Sequence, residues 1–278
     1  MMLFAFSCLW VGCDENTKFD DTIFEIKEPK LKEIDKWILS NYVDPYNIEV
    51  IYRWEDIESD ASKNLIPPQL DTIVPFLKVV KRGWIDTYVE LCGNEVINPV
   101  FPKQILLLGC AGYNQDGTKT LGTAEGGKKV VLYEVDAFDP KDAANIKGYI
   151  RVLHHEFTHI LTQNKEYSLA YKQITPKSYT SAWKNNSETT ARSLGFVTPY
   201  AMSEPDEDVA EMIAEYITNT PEGWDSLING ISNAEGKANV LKKLDIVRTY
   251  MEESWKIDIN QLRDLVNQAM KDVVNGNY

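Results

Sequence analysis

The spacing of apolar positions separates the chain into a first part with mixed patterns and a second part with helical patterns. In the first part, apolar residues at every third or fourth position predict helices at 30–42, ended by Pro45, and at 70–92. Runs of β-branched and aromatic residues predict strands at 47–54, 104–109 and 128–135. The Gly-, Asn- and Thr-rich residues 112–127 predict a loop.

From Asp139 onward the apolar positions follow helical spacing. Asp139 is predicted to cap the first of these helices and Pro140 to occupy its first position. The helical segments are 140–164, 206–219, 221–230, 233–254 and 258–274. Strands followed by a block of helices, without regular alternation, predict an α+β fold with a small mixed sheet. We therefore expect an N-terminal α/β subdomain at 29–138 and a helical subdomain at 139–278.

The N-terminal residues have the pattern of an export signal. Residues 1–12 are apolar, carry no charged side chain and are shorter than the ~20 residues that span a bilayer. The following Gly12-Cys13 resembles the bacterial lipobox, although Trp10 stands where that motif prefers Leu and no Lys or Arg precedes it. The resemblance implies a signal peptide at 1–12, lipidation of Cys13, a tether at 13–28 and an exported lipoprotein on the outer membrane or cell surface. The alternatives are a plain signal peptide and a buried strand of a cytosolic protein.

The charge of the chain excludes some partners. Its 29 Lys and Arg against 42 Asp and Glu give a net charge of −13 with His neutral. Nucleic acids and anionic lipid surfaces attract basic proteins, so we expect neither as a partner, and membrane contact only through the lipid anchor. Cys92 and Cys110 are equally compatible with a disulfide and with two buried thiols.

All three histidines of the chain lie within one hexapeptide, and residues 155–159, HEFTH, match the HExxH pattern. On a helix, His155 and His159 lie one turn apart on the same face, so both imidazoles can bind one Zn²⁺ ion. Glu156 is rotated by about 100° from His155, which places its carboxylate beside the metal and within reach of a water molecule. The predicted cofactor is one Zn²⁺ per chain.

The apolar stripe of this helix lies on another face. It consists of Ile146, Ile150, Leu153, Phe157, Ile160 and Leu161. His155 and His159 fall almost opposite the stripe, so the helix can pack by one face and present both histidines on the other. His154 flanks the stripe, and we expect it to pack or to support a ligand instead of binding the metal.

A catalytic zinc site needs a third protein ligand and an open position for water. No further histidine exists, so the third ligand must be a carboxylate, a cysteine or a tyrosine. The best source is residues 205–216, where one helical face carries glutamates at four-residue spacing: Glu207, Glu211 and Glu215. Because Glu207 and Glu211 share this face, the spacing does not choose between them.

Two segments resemble a known family. Residues 195–201, GFVTPYA, followed by 207–211, EDVAE, are similar to the anthrax lethal factor and Pro-Pro endopeptidase group of gluzincin metallopeptidases. They most resemble the zinc-binding metallopeptidase lipoproteins of Bacteroidetes that are associated with substrate import. In that group a tyrosine precedes the ligand glutamate by seven residues and a second glutamate follows it by four, and Tyr200, Glu207 and Glu211 keep both intervals.

The resemblance implies a zincin-like fold and a role for each of these residues. Glu207 is implied as the third zinc ligand, Tyr200 as a phenol near the zinc, and Glu211 as a partner of a ligand. In zincins the edge strand of the sheet pairs with an extended substrate, and residues 126–133 occupy that place. A plain core strand with a glycine turn is the alternative for 126–133.

The sequence therefore predicts zinc-dependent hydrolysis of a peptide bond in a peptide or protein substrate. Glu156 would take a proton from water, and Tyr200 would donate a hydrogen bond to the oxyanion. One alternative is a non-catalytic, zinc-containing surface lipoprotein that binds peptide or glycan for an outer-membrane import complex. Another is zinc-dependent hydrolysis of a different amide, such as a peptidoglycan cross-link.

Overall fold

The computed structural model describes residues 31–54, 63–114 and 117–278. The predicted signal peptide at 1–12, the lipidated Cys13 and the tether at 13–28 lie outside these described residues. Among the described residues, no helix is both long and apolar enough to cross a bilayer.

A small mixed sheet forms the centre of the N-terminal part. The strands are β1 (Glu49–Ile51), β2 (Gln104–Leu107), β3 (Gly112–Tyr113), β4 (Lys119–Thr120), β5 (Gly122–Glu125) and β6 (Lys129–Leu132). Four of them make one sheet in the order β1-β2-β6-β5, and β3 pairs with β4. β1, β2 and β6 are parallel, whereas β5 is antiparallel to β6. This sheet, followed by helices, confirms the α+β prediction.

The prediction that residues 126–133 form the edge strand is wrong. β6 pairs with β2 on one side and with β5 on the other, so β6 is internal and β5 is the edge strand. The sequence of β5, Gly-Thr-Ala-Glu, lacks the alternation of β-branched residues that marks a strand, so the segment resembles a loop. Pairing of Thr123 with Val131 and of Ala124 with Val130 holds it in the sheet.

Side chains on β2 alternate between two apolar layers, as the twofold period of a strand requires. Ile105 and Leu107 enter the main core, whereas Leu106 packs in a smaller cluster with Leu65 and Val131 on the opposite face. Both faces of the sheet are therefore buried, which is usual for parallel strands.

The first helix begins and ends three to four residues later than predicted. α1 (Glu33–Ile38) continues through a π-helical turn, Leu39–Val43, into α2 (Asp44–Tyr46), and the backbone leaves the helical region at Asn47, where φ is 53°. Pro45 lies in the last turn of this continuous helix, which ends at Tyr46, one residue beyond the predicted stop at this proline.

The second helical segment matches its predicted span of 70–92. α3 (Leu70–Val80) passes through a π-helical turn, Lys81–Ile85, into α4 (Asp86–Cys92), and the short α5 (Asn94–Ile97) follows.

The two cysteines among the described residues are free thiols. The Cys92 thiol donates to the Tyr88 carbonyl at 3.0 Å, and Cys110 Sγ accepts from the Ile66 amide at 3.3 Å. The alternative of a disulfide between Cys92 and Cys110 is thereby excluded.

The C-terminal part is helical, as predicted, and it contains two short helices, Leu169–Lys172 and Glu188–Ser193, that the predicted segments do not include. Its helices are α6 (Ala143–Asn164), α7 (Leu169–Lys172), α8 (Glu188–Ser193), α9 (Pro205–Thr218), α10 (Pro221–Asn229), α11 (Ala234–Trp255) and α12 (Ile259–Val274). The predicted cap of α6 is wrong. Asp142, not Asp139, accepts from the amides of Ala144 and Asn145, while Asp139 accepts from Lys141 in the preceding turn.

One apolar core connects the sheet and the helices. Phe157 of α6 lies at its centre, with ring centroids 5.4 Å from Trp84, 4.8 Å from Tyr88 and 5.3 Å from Phe101. The same core continues into α9, α11 and α12. The division into subdomains at residue 138 stays a prediction.

Candidate functional site

α6 presents two histidines at the surface that meets α9. His155 and His159 lie one turn apart, with their Nε2 atoms separated by 3.2 Å. The six residues of the apolar stripe are buried in the core. The helix therefore packs by one face and presents both imidazoles on another, as the spacing predicts. That second face meets α9.

α9 brings the carboxylate of Glu207 to both imidazoles. Its Oε2 atom lies 3.0 Å from His155 Nε2 and 3.3 Å from His159 Nε2. Ligand atoms bound to one tetrahedral zinc at 2.0–2.1 Å are separated by about 3.3 Å from one another. Glu207 Oε2 is also buried without a well-directed hydrogen-bond donor. These three side chains therefore fit one metal ion, and their role as zinc ligands stays a prediction.

The carboxylates control the charge of the metal-free cluster. Burial raises the pKa of Glu207, but the contacts with the two imidazoles outweigh it and hold the pKa well below its usual range. Burial lowers the pKa of His155, but the carboxylates of Glu207 and Glu211 outweigh it and raise the pKa to about 9. At neutral pH the metal-free site therefore holds a proton on His155, which a metal ion must displace.

Glu211 lies behind His155 instead of joining the cluster of three. Its Oε1 atom is 2.9 Å from His155 Nδ1, and its side chain is only 3% exposed. In the metal-free site this close contact does not have the direction of a regular hydrogen bond. The Oε2 atom of Glu211 accepts from the Thr198 hydroxyl and contacts the Arg151 guanidinium. A carboxylate at the second nitrogen of a ligand imidazole fixes its tautomer and orientation. The geometry thus separates Glu207 from Glu211, which the spacing alone does not.

Glu156 borders the cleft beside the cluster. The cleft has a volume of about 310 Å³, and Gly122, Val152 and Trp183 contribute to its walls. Burial raises the pKa of the Glu156 carboxyl, and the neighbouring imidazoles only partly offset this effect. A carboxyl with a raised pKa suits a group that takes up a proton and returns it.

Tyr200 lies over the imidazole of His155. It begins a single 3₁₀ turn, Tyr200–Met202, shortly before α9. Its ring centroid is 5.8 Å from that of His155, with 27° between the planes, and the edge of Trp183 packs on it at 4.9 Å. Burial, followed by the charge of Glu207, raises the pKa of Tyr200. The phenol therefore stays protonated at neutral pH and can donate a hydrogen bond into the cleft.

His154 belongs to the core. It is fully buried, with Nδ1 3.2 Å from the Tyr88 hydroxyl and Nε2 3.1 Å from the Gly83 carbonyl. Burial lowers its pKa to about 3, so the ring is neutral. Packing in the core is one of the two roles that we expect for His154. Its hydrogen-bond partners in the structure, Tyr88 and Gly83, do not belong to the group of His155, His159 and Glu207.

An ion pair that the sequence analysis missed anchors α9. Asp208 follows Glu207 and is fully buried with Lys243 of α11, whose Nζ lies 2.6 Å from Asp208 Oδ2. The Tyr179 hydroxyl donates to the same oxygen at 2.8 Å. Asp208 and Lys243 lie on separate helices and share no periodic pattern, so the sequence has no signal for their pairing. Arg151 was also missed, although it stands four residues before His155 on the same helical face.

Comparisons with known proteins agree with this geometry. A family described as "Putative zinc-binding metallo-peptidase" matches residues 27–260. The crystal structure of a putative zinc-binding metallo-peptidase from Bacteroides caccae is 38% identical, with a TM-score of 0.77, and the match covers 92% of this chain and all of the other. A comparison with curated proteins finds no match.

Proposed function

The chain belongs to the family described as putative zinc-binding metallo-peptidases, and from this premise we propose that it hydrolyses peptide bonds with zinc. The observation that carries the proposal is the convergence of His155, His159 and Glu207 on one point, with Glu156 beside them. A bound zinc would supply Lewis acidity, which activates water and polarises a carbonyl.

Two side chains of the cleft perform the proton and charge chemistry. Glu156 takes the proton of the attacking water and delivers it to the leaving amine, for which its raised pKa is suited. Tyr200 donates a hydrogen bond to the carbonyl oxygen as negative charge develops there. Both groups are present, which a site that only binds zinc does not require.

The edge strand β5 offers backbone groups to an extended peptide. The Tyr133 amide donates to the Leu121 carbonyl at 2.9 Å, so backbone groups at odd-numbered positions of this strand face β6. Those of Gly122 and Ala124 therefore point away from β6. The Ala124 amide already interacts with the Glu156 carboxylate, so a peptide would meet the Ala124 carbonyl and the Gly122 groups at this edge. A peptide can add to this edge as a further strand beside the cleft. β5 would then have the substrate-pairing role that we expect of residues 126–133 from the sequence.

Glu156→Gln tests the proposed role of the carboxylate. We expect turnover to fall by about 10²–10⁴-fold with zinc content unchanged, because the amide cannot accept the proton. Glu166→Gln, at an exposed position just beyond α6, is the matched control. The assay is mass spectrometry of a peptide library incubated with and without a chelator. Full activity of Glu156→Gln would exclude this role.

The peptide assay, a parallel incubation with peptidoglycan and the zinc content of each variant distinguish the other functions. Zinc-loaded wild-type protein that cleaves no peptide would support a binding lipoprotein, and release of peptidoglycan cross-links alone would indicate a different amide substrate. Glu207→Ala should lose zinc. If zinc survives in Glu207→Ala but is lost in Glu211→Ala, the assignment of the third ligand is wrong.

We further propose that the protein is exported and anchored by a lipid on Cys13, with peptide or protein substrates at the cell surface or in the periplasm, and that it serves an outer-membrane import complex. The support is the apolar run at 1–12 that ends in Gly12-Cys13. Cys13→Ala should abolish labelling with radioactive palmitate and release the protein from the membrane fraction. Cys8→Ala is the control, because residue 8 lies within the cleaved segment. Unchanged labelling of Cys13→Ala would refute the anchor.

A further inference from the structure

The proposed zinc cluster is one end of a longer row of side chains between α6 and α9. Each helix contributes three residues at four-residue intervals, and the two series run in opposite directions. They are Arg151, His155 and His159 on α6, facing Glu215, Glu211 and Glu207 on α9. The proposed function uses the histidine end of this row and leaves Arg151 without a role.

The guanidinium of Arg151 joins two carboxylates through two different nitrogen atoms. Its Nε lies 2.6 Å from Glu215 Oε1, and its Nη2 contacts Glu211 Oε2. The other oxygen of Glu211 is 2.9 Å from His155 Nδ1. A guanidinium is planar, so its donors point in fixed directions, whereas a lysine ammonium has no such fork. Arg151 therefore holds the Glu211 carboxylate in one orientation, with Oε1 towards His155.

We propose that Arg151 is a positioning residue for the metal site: by holding Glu211, it orients the His155 ring and increases the affinity for zinc. The inference rests on the proposed function only because it takes His155 as a zinc ligand. Without Arg151, Glu211 Oε2 would keep only the neutral Thr198 hydroxyl as a donor. The carboxylate could then rotate away from His155 Nδ1.

The expected change in zinc affinity depends on whether Arg151 orients a metal ligand directly or through another residue. Loss of a group that directly orients a ligand costs about 10–100-fold in metal affinity. Because Arg151 acts through Glu211, we expect an increase of about tenfold in the zinc dissociation constant of Arg151→Met. Arg151→Lys keeps the positive charge but cannot hold both carboxylates in the same geometry, so we expect a smaller increase of the same sign.

The matched control is Arg82→Met. The Arg82 side chain is 26% exposed, like that of Arg151, and its Nη2 lies 2.7 Å from Asp272 Oδ2 instead of facing the zinc cluster. Arg82 holds one carboxylate where Arg151 holds two, so Arg82→Met controls for the replacement of a half-buried, ion-paired arginine away from the zinc cluster. If Arg151 positions the metal site, the zinc affinity changes in Arg151→Met and stays at the wild-type value in Arg82→Met.

The experiment measures the zinc dissociation constant of the folded, metal-free proteins by competition with a chromophoric chelator. The absorption spectrum of the Co²⁺-loaded proteins reports the ligand geometry. We expect weaker zinc binding and a shifted Co²⁺ spectrum in Arg151→Met, and wild-type values in Arg82→Met. A dissociation constant of Arg151→Met within about twofold of wild type, with an unchanged spectrum, overturns the inference. If Arg151→Met does not fold, an unchanged constant in Arg151→Lys overturns it equally.

These outcomes separate the two proposals. Wild-type protein that binds no zinc would refute the proposed function and this inference together. Equal zinc binding by wild type and Arg151→Met would refute this inference alone. Weaker binding by Arg151→Met supports it even if no peptide is cleaved.

Discussion

Lys243→Met tests how strongly the buried ion pair holds α9, the helix that carries Glu207. The Lys243 ammonium donates to Asp208 Oδ2 at 2.6 Å and to the Gly195 carbonyl at 2.9 Å, and both charged side chains have no exposed surface. Methionine has nearly the same length and no charge. The variant therefore removes the positive charge and leaves most of the apolar contacts of the stem.

The cost comes from the carboxylate that remains. Without Lys243, Asp208 Oδ2 keeps only the Tyr179 hydroxyl as a donor, and Asp208 Oδ1 has no hydrogen-bond partner. Breaking one side of a buried ion pair typically costs about 3–5 kcal/mol. At about 2–4 °C per kcal/mol for a protein of this size, the unfolding midpoint should fall by roughly 6–20 °C.

The loss should depend on pH in a defined direction. Burial raises the pKa of Asp208, and the Lys243 charge acts against it. In Lys243→Met the folded-state pKa rises further above the unfolded-state value. The folded variant then binds more protons than the unfolded chain, so its stability falls as the pH rises through the folded-state pKa. The deficit relative to wild type should therefore be smaller at pH 5 than at pH 8.

Urea and thermal unfolding followed by circular dichroism measure these differences. Lys242→Met, at the exposed neighbouring position, should lie within about 0.5 kcal/mol of wild type. Lys243→Met combined with Asp208→Asn should be more stable than Lys243→Met alone, because the double variant buries no charge. The reasoning is refuted if Lys243→Met loses less than about 1 kcal/mol, or if Asp208→Asn restores nothing.

Three further predictions follow from the site. Zinc binding at pH 6 should release at least one proton, because the pKa of His155 in the metal-free protein is about 9. Titration calorimetry in buffers of different ionisation enthalpy measures this release, and equal heats in all buffers would contradict it. Tyr200→Phe keeps the ring stacked on His155 but removes the donor, so kcat should fall by about 10²–10³-fold with unchanged zinc content, and an unchanged kcat would exclude the hydrogen bond. Gly122→Ala places a Cβ 2.4 Å from Val152 Cγ1 and should destabilise the protein by about 1–3 kcal/mol in urea unfolding. Gly148 has open space on α6, the helix that carries Val152, so Gly148→Ala should stabilise the protein by up to about 1 kcal/mol. Equal effects of the two changes would contradict the packing argument.

Helices were the most predictable part of the fold, because each buries one apolar face with a period that the sequence displays. The HExxH helix is the clearest case, since both its stripe and its histidines follow from that period. β5 was missed because its place in the sheet depends on the backbone of β6 and on a close approach of Gly122 to Val152, not on its own side chains.

The third carboxylate shows a different limit of sequence analysis. Glu207 and Glu211 share a helical face, so only the relative position of α6 and α9 distinguishes them. That position depends on long-range contacts such as Asp208–Lys243, which no local pattern displays. The resemblance to a known family implies Glu207 as the ligand, a choice that the spacing does not make. The structure brings Glu207 to both imidazoles.

The two helices that hold the row of charged side chains are connected by about 50 residues between His159 and Glu207. This connection carries Trp183 and Tyr200 to the wall of the cleft, while direct packing of α6 against α9 keeps His155, His159 and Glu207 together. Parts of the connection belong to the core, such as Tyr171 and Phe196. Longer loops add only slowly to the entropy of chain closure, so insertions at its exposed positions, such as 184 and 185, should be tolerated better than changes in either helix. Variation at these positions would therefore alter the wall of the cleft near Trp183 while leaving His155, His159 and Glu207 in place.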